Sequence, residues 1–420
     1  MRLIGTGESD LIPLAYLPPR AIMPITTGRT YLAIPGPSVS PERVLNAMHR
    51  SAPNIYEGEL VDMMRGMVPD LRRVAGTSQH VAIYIANGHG AWEAANSNMF
   101  SRGDRALLAA TGRFGHGWAE GLQRLGVNID IIDFGRSSAA DPERIADALR
   151  ADKAREIRAV LVTHVDTASS ARNDIAAIRA AIDSTGHPAL LAVDAIASLG
   201  CDELRMDAWG IDVLVGASQK GLMLPPGLGF IWFSDKALAA SQRANLVTPY
   251  WDWKPRGTGT EFWQYFGGTA PTHHLYGLRE ALNMILDEEG LEQVWARHRR
   301  LAKAVWAAFD AWGHGSGIAL NVADPAARGH SVTAATIPNG GAGALRRWLE
   351  AEAGVTLGIG LGMALPTEPA YQDFLRVGHM GHVNAHMTLG VLATMEAGMQ
   401  ALGIAHGPGA VEAAAGALVG

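Results

Sequence analysis

The chain has 420 residues, of which 48% are hydrophobic and 18% charged, and its formal net charge at pH 7 is −6. A chain of this length and composition is expected to form roughly two or three domains with a sizeable core, and its mildly acidic balance argues against a nucleic-acid or membrane-surface protein. The single cysteine, Cys201, excludes an internal disulfide and a thiolate metal cluster, and we predict no metal site.

We treat residues 1–40 as an N-terminal segment made mostly of loop. Acidic residues and prolines stand where a signal peptide would have its apolar core, and no window reaches the roughly 18 consecutive apolar residues of a membrane span. We therefore expect a cytoplasmic protein. Near the end of the segment, Ser40 and Pro41 predict the start of a helix, as its N-cap and its first residue.

Seven short apolar runs follow, and each is typical of a buried strand. They lie at 81–86, 105–110, 128–134, 157–164, 189–195, 212–218 and 227–233. Stretches with helical spacing separate them, for example 141–154 and 173–186. Buried strands that alternate with helices indicate βαβ units, so we predict a large domain over 41–290 with a mostly parallel sheet.

The pattern changes after the last of these runs. Residues 276–313 predict one long helix or two successive helices, and weak strands follow near 331–337 and 375–377. We assign residues 291–403 to a smaller α+β domain. The remaining Ala/Gly-rich residues, 404–420, are expected to form a flexible tail.

Polar residues follow several of the predicted strands, where parallel sheets bind ligands. Asn87-Gly88-His89-Gly90 comes directly after 81–86 and runs into a helix, which suits a phosphate cradle but is equally typical of a plain turn.

Three further strands end in titratable groups. His164 and Asp166 follow one strand, Asp194 ends the next, and Lys220 comes shortly after a third. Each could be an ordinary turn or surface residue. Together with the phosphate turn they suit pyridoxal 5′-phosphate, which needs a lysine amine, an acid for its ring nitrogen and backbone N–H groups for its phosphate.

The chain also resembles the class V aminotransferases of pyridoxal-phosphate fold type I, in the serine–glyoxylate and alanine–glyoxylate branch. The resemblance covers roughly residues 31–400 and is carried by "GASQKGLMLPPGLGF", "ALLAVDAIASLG", "LYGLREAL" and "RVGHMG". It implies a seven-stranded, mostly parallel sheet flanked by helices in the large domain and a smaller C-terminal α+β domain.

The resemblance assigns catalytic and ring-binding roles to four residues. Lys220 would form the Schiff base with the cofactor and act as acid and base, while Asp194 would pair with the pyridine nitrogen. Ile196 would pack against the ring, and Gln219 would lie near the phosphate.

Further cofactor contacts follow from the same resemblance. Asn87, Gly88 and His89 occupy the family's phosphate turn. Phe114 matches the aromatic residue that stacks on the ring, and Thr167 matches a residue that contacts the ring oxygen.

The resemblance also implies a homodimer with substrate sites at the interface. Thr269 matches a residue that reaches the phosphate from the neighbouring subunit, and Arg376 matches the arginine that holds the substrate's α-carboxylate. Pro35 and Gly36 match the N-terminal loop at the substrate site, to which we add Tyr56.

The expected reaction is transfer of an amino group from a small amino acid, serine or alanine first, to glyoxylate or a similar 2-oxo acid. Two segments, 54–59 and 164–170, depart from the family pattern around the substrate. Tyr56-Glu57 and Asp166-Thr167 are also similar to pyridoxamine–pyruvate transaminase. A lyase that uses Cys201 as its nucleophile, and a non-catalytic binding protein, are the remaining alternatives.

Overall fold

The computed structural model describes residues 25–419. Its strands are β1 (Tyr31–Ala33), β2 (His80–Ala86), β3 (Arg105–Ala110), β4 (Asn128–Asp133), β5 (Ile157–Thr163), β6 (Leu190–Asp194), β7 (Val213–Ala217), β8 (Gly227–Phe233), β9 (Ala319–Leu320), β10 (Val332–Thr336), β11 (Val355–Ile359) and β12 (Phe374–Gly378). All seven runs that the sequence assigns to the large sheet are strands, and no strand end differs from the prediction by more than one residue.

The α-helices are α1 (Glu42–Met48), α2 (Glu59–Ala75), α3 (Gly88–Met99), α4 (Arg113–Arg124), α5 (Pro142–Ala151), α6 (Ile175–Ser184), α7 (Asp235–Ser241), α8 (Trp253–Thr258), α9 (Thr272–Leu282), α10 (Leu291–Gly313), α11 (Gly341–Trp348), α12 (Ala385–Leu402) and α13 (Ala410–Val419). The prediction for the start of α1 was wrong by one residue. Pro41 is the cap and Glu42 the first helical residue, and no side chain caps this helix, so Ser40 does not have that role.

The seven-stranded sheet has the order β2-β8-β7-β6-β5-β3-β4. Only β8 runs antiparallel to its neighbours, and the other pairs are parallel. Along β5, Val160 and Val162 belong to the core cluster on one face, whereas Ala159 and Leu161 belong to the cluster on the other. Helices therefore cover both faces, which is why these strands are almost wholly apolar in sequence. The α/β fold class that the sequence predicted is confirmed.

The second sheet has five strands in the order β1-β11-β12-β10-β9. Its strands β10 and β12 lie where the sequence predicted weak strands, whereas β1 and β11 were missed. The predicted helical stretch before it is two helices, α9 and α10, joined by a π-helical turn over Asn283–Glu289 and interrupted at Gly290, whose φ is +85°.

Helix α13 occupies most of the segment for which the sequence predicted a flexible tail. It is rich in alanine, the residue with the highest helix propensity. Ala410 and Ala414 are fully buried and share one core cluster with Phe309 and Trp312 of α10. The proposed domain limits stay a prediction. No helix within residues 25–419 has the length and apolarity needed to cross a bilayer.

Candidate active site

The candidate site lies where β5, β6 and β7 end side by side. In the parallel pairing, Thr163 of β5 is opposite Asp194 of β6, and Asp194 is opposite Val215 of β7. Lys220 stands in the turn three residues beyond the end of β7. The sheet thus brings together the carboxylate and the amine that the sequence singled out.

Lys220 is a buried lysine without an ion pair in the described part of the chain, and its residue is only 9% exposed. Its Nζ donates to the carbonyl of Pro35. Ser38 holds the same turn from outside, because its hydroxyl donates to the Lys220 carbonyl at 2.7 Å and its amide to the Gln219 carbonyl at 2.9 Å. Burial lowers the pKa of Lys220 to about 8, and the charge of Arg376 acts in the same direction while Asp194 opposes it. A neutral, nucleophilic amine is therefore accessible near neutral pH.

Gly36 makes this arrangement possible. Its φ is +99°, and a Cβ at this position would lie 2.1 Å from Lys220 Nζ and 2.6 Å from Cε. A side chain at residue 36 would thus occupy the volume of the lysine. The loop that the sequence placed at the substrate site packs directly against Lys220.

Asp194 is 4% exposed and ends β6. Its Oδ1 accepts a hydrogen bond from the Ile196 amide at 2.7 Å, and its Oδ2 accepts one from Trp92 Nε1 at 3.2 Å. Burial raises the pKa of Asp194 to about 7, and the nearby charge of Asp166 adds to the effect. A carboxyl group in this state can share a proton with a ring nitrogen of similar basicity.

The turn after β2 caps helix α3. The Asn87 side chain accepts hydrogen bonds from the amides of His89 and Gly90 at 3.1 and 3.2 Å. Gly88 lies against Ile196, since a Cβ there would come within 2.6 Å of Ile196 Cδ1. The turn is therefore in contact with Ile196, two residues after Asp194.

The residues fit pyridoxal phosphate. Lys220 and Asp194 offer the amine and the acid, and the buried Oε1 of Gln219 has no hydrogen-bond partner within residues 25–419. An amide that lacks a partner can turn either of its polar atoms toward a ligand. The side chains of Lys220, Asp194, Gln219 and Asn87 would hold the group.

Asp166 has a structural role that the sequence analysis did not predict. Its fully buried carboxylate accepts hydrogen bonds from four backbone amides, those of Phe114, Gly115, Ala168 and Ser169. These bonds fix the start of α4 to the loop after β5. Phe114 is half-buried there, and its ring centre lies 6.3 Å from that of Trp92.

Arg376 enters the site from β12 of the small sheet and is 6% exposed. Its Nε donates to the Ile359 carbonyl at 2.7 Å, and its Nη1 donates to the Thr167 carbonyl at 2.8 Å. Burial lowers the pKa of Arg376 to about 10, so the side chain keeps its charge near neutral pH. Both of these carbonyl partners are neutral, so the charge of Arg376 is available to an anionic ligand.

Two of the sequence-predicted residues are not brought to Lys220. Tyr56 is 88% exposed, and Thr269 lies exposed in the loop before α9. Cys201 is fully buried, and burial raises the pKa of its thiol to about 12. A thiol in this state is a poor nucleophile, which counts against a lyase that would depend on it.

Sequence reasoning missed Trp92, the partner of Asp194. Its ring lies 4.8 Å from that of His89 and is stacked 6.1 Å from that of Trp118. A signal was present, because Trp92 follows Gly88 by one helical turn and so shares its face of α3. The partners Pro35 and Ser38 were also unforeseen as contacts of Lys220, since 182 to 185 residues separate them from it.

The chain is similar to known proteins over most of its length. The model of the class V aminotransferase family matches residues 30–386. The serine–glyoxylate aminotransferase of Methylorubrum extorquens is 37% identical over 92% of this chain and 95% of its own length. The L-aspartate–glyoxylate aminotransferase of Paracoccus denitrificans is 36% identical over 90% of this chain and 93% of its own. The crystal structure of pyridoxamine–pyruvate aminotransferase from Mesorhizobium loti superposes with a TM-score of 0.83 at 27% identity, covering 94% of this chain and 99% of that one.

Proposed function

The chain belongs to the class V aminotransferases, in their glyoxylate-type group, and we propose that it transfers the amino group of a small amino acid, serine or alanine first, to glyoxylate. The family uses pyridoxal 5′-phosphate, and we extend this cofactor to the present chain. The observation that carries the proposal is the buried pair of Lys220 and Asp194, whose pKa values burial moves toward neutrality from opposite sides.

The roles of the side chains follow from their chemistry. When bound, the cofactor supplies an electron sink for the electron pair left on the donor's α-carbon. The Nζ of Lys220 removes and returns the proton at that carbon, for which a pKa near the working pH is favourable. Asp194 holds a proton at the ring nitrogen, and the guanidinium of Arg376 binds the α-carboxylate of donor and acceptor alike.

The partner copy of the chain has a part in this proposal. Tyr56 and Thr269 are exposed in one chain, so we assign them to the site of a second subunit in a homodimer. Sedimentation of purified protein checks this assignment. An active monomer at working concentration would contradict it.

Pyridoxamine–pyruvate transfer is the second candidate, supported by the fold similarity to such an enzyme and by the Asp166-Thr167 pair. The structure gives it less support, because the carboxylate of Asp166 already accepts hydrogen bonds from four backbone amides. Amino transfer to glyoxylate from serine and alanine, measured beside transfer from pyridoxamine to pyruvate, distinguishes the two. Activity with the second pair alone would overturn the first choice.

A further inference from the structure

A cavity of about 460 Å³ is lined by residues that follow β3 and β4 of the large sheet and by residues of β11 and β12 of the small one. Three arginines line it: Arg113, Arg136 and Arg346. Arg113 and Arg136 follow β3 and β4 at the same edge of the sheet as Lys220, and Arg346 belongs to α11. The site described above uses none of the three.

These arginines have no carboxylate within ion-pair distance in the part of the chain that the structure describes. Arg136 Nη1 donates to the Met363 carbonyl at 2.7 Å, and Arg346 Nε donates to the Leu357 carbonyl at 3.3 Å. Both partners are neutral. About half of the other arginines of the described chain pair with an acid. Three cations around one cavity favour the entry of an anion.

None of the described residues that line the cavity is acidic. The carboxylate of Glu368 lies nearby and accepts a hydrogen bond from the Leu365 amide at 2.8 Å, which leaves its charge unchanged. Glu350 stands one helical turn beyond Arg346 and attracts it, but the like charge of Arg347 opposes that effect. The charged residues of the described lining are therefore all arginines.

The cavity is adjacent to the carboxylate site of Arg376. Arg346 and Arg376 bind the carbonyls of Leu357 and Ile359, which are two residues apart on β11 and therefore separated by about 7 Å. Phe374 lines the cavity and lies two residues before Arg376 on β12, so the two share one face of that strand. One small molecule with two anionic groups can reach both guanidinium groups.

We propose that this cavity binds the second carboxylate of a dicarboxylic amino donor, such as L-aspartate, whose α-carboxylate is held by Arg376. The inference rests on the proposed amino transfer and names a further class of donor for the same site. Ile359, Leu361 and Phe374 supply apolar walls for the methylene carbon between the two carboxylates. The three arginines can pair with the second carboxylate of such a donor. A donor with a single carboxylate has no group to pair with them.

The test compares L-aspartate with L-alanine as donors to glyoxylate. Replacing Arg346→Gln is expected to lower the ratio of their kcat/KM values, aspartate over alanine, by about tenfold or more, the effect of losing a charge-assisted hydrogen bond. Arg299→Gln is the matched control. Arg299 is exposed on α10 and lies outside the cavity, and the ratio in this variant should stay within about twofold of wild type.

A binding measurement makes the test independent of turnover. Maleate, which has two carboxylates, should raise the melting temperature of the wild-type holoenzyme more than acetate does, and Arg346→Gln should remove this difference. An unchanged donor ratio in Arg346→Gln, or equal effects of maleate and acetate on the wild type, would overturn the proposal. If no donor transfers its amino group to glyoxylate, the proposed function is wrong. The maleate experiment then still decides whether the cavity is an anion site.

Discussion

The middle of the large sheet and its carboxyl edge differ in the kind of side chain that they bury. In the middle, β5, β6 and β7 bury apolar side chains on both faces: Val160, Leu191 and Leu214 on one, and Leu161, Ala192 and Val215 on the other. At the edge, a few residues further along the same strands, the chain buries Asp194 and Lys220 without a close ion pair. Burial of an uncompensated charge is unfavourable, and both groups accordingly have pKa values shifted toward their neutral forms. The sheet thus supplies stability, and its edge uses part of that stability to hold reactive groups.

Two lysines show the same contrast, because within residues 25–419 Lys220 is buried without an ion pair whereas Lys236 is partly exposed and paired with a carboxylate. Lys236 Nζ donates to the carboxylate of Asp212 at 3.2 Å, and its side chain is 47% exposed. Lys220→Ala should reduce amino transfer by about a thousandfold or more, because the group that moves the α-proton is gone. Initial rates with serine and glyoxylate measure the effect, and Lys236→Ala serves as the control with near-normal rates. A tenth of wild-type activity in Lys220→Ala would remove this residue from the mechanism.

Asp194→Asn should slow turnover about a hundredfold, since an amide does not hold a proton at the ring nitrogen as a carboxylate does. A turnover rate within about threefold of wild type would contradict the role of Asp194.

The same substitution should lower activity but raise the stability of the protein relative to wild type as the pH rises. The folded-state pKa of Asp194, about 7, lies above its unfolded value of 3.8, so the stability that its protonated form contributes is complete at low pH and is lost between these two values. Asparagine does not titrate. In cofactor-free protein, the melting temperature of Asp194→Asn relative to wild type should therefore rise from pH 4 to pH 7. A pH-independent difference would show that Asp194 is not buried in a state that resists ionisation.

Arg376→Lys should weaken binding of donor and acceptor by about tenfold, because lysine lacks the planar fork that binds a carboxylate through two hydrogen bonds. The KM values for serine and glyoxylate measure the effect, and the visible absorbance of the bound cofactor should stay normal. A loss for the oxo acid alone would favour pyridoxamine as the donor, which has no carboxylate. Unchanged KM values for both substrates would exclude Arg376 from the site.

Leu214→Ala tests the other side of the comparison. Leu214 is fully buried in β7, six residues before Lys220, and its truncation should lower the free energy of unfolding by about 2–5 kcal/mol. Thermal unfolding should show a lower midpoint, while kcat/KM at a temperature well below that midpoint should stay within about threefold of wild type. A large fall in kcat/KM with an unchanged midpoint would mean that the core and the edge are not separable as described.

The same division explains what the sequence could predict. Strands buried on both faces are continuous apolar runs, and their ends mark where polar residues meet, so the large sheet and the grouping of Lys220 with Asp194 were accessible from pattern alone. The short strands β1 and β11 lack such a run, as "YLA" and "VTLGI" illustrate. The role of Arg376 came from resemblance to a family and not from its surroundings in the sequence.

Contacts between distant segments were beyond sequence reasoning. The Pro35 carbonyl meets Lys220 across 185 residues, and nothing local to either residue indicates it. The arginine cavity is assembled from three separate parts of the chain, each of which resembles an ordinary surface cation when it is read alone. For Asp166 the position in the sequence indicated a ligand contact, whereas the structure shows hydrogen bonds with backbone amides. A carboxylate beside a strand end can accept such bonds as readily as it can bind a ligand.

The most direct test of the account locates the cofactor on the chain. Purified protein loaded with pyridoxal phosphate is treated with borohydride, digested and analysed by peptide mass spectrometry, with the peptide that contains Lys236 as the internal comparison. The account predicts that the reduced cofactor is attached to Lys220 and that the Lys236 peptide is unmodified. Attachment to another lysine, or no attachment at all, would contradict the central claim that the buried amine at the edge of the sheet is the reactive group.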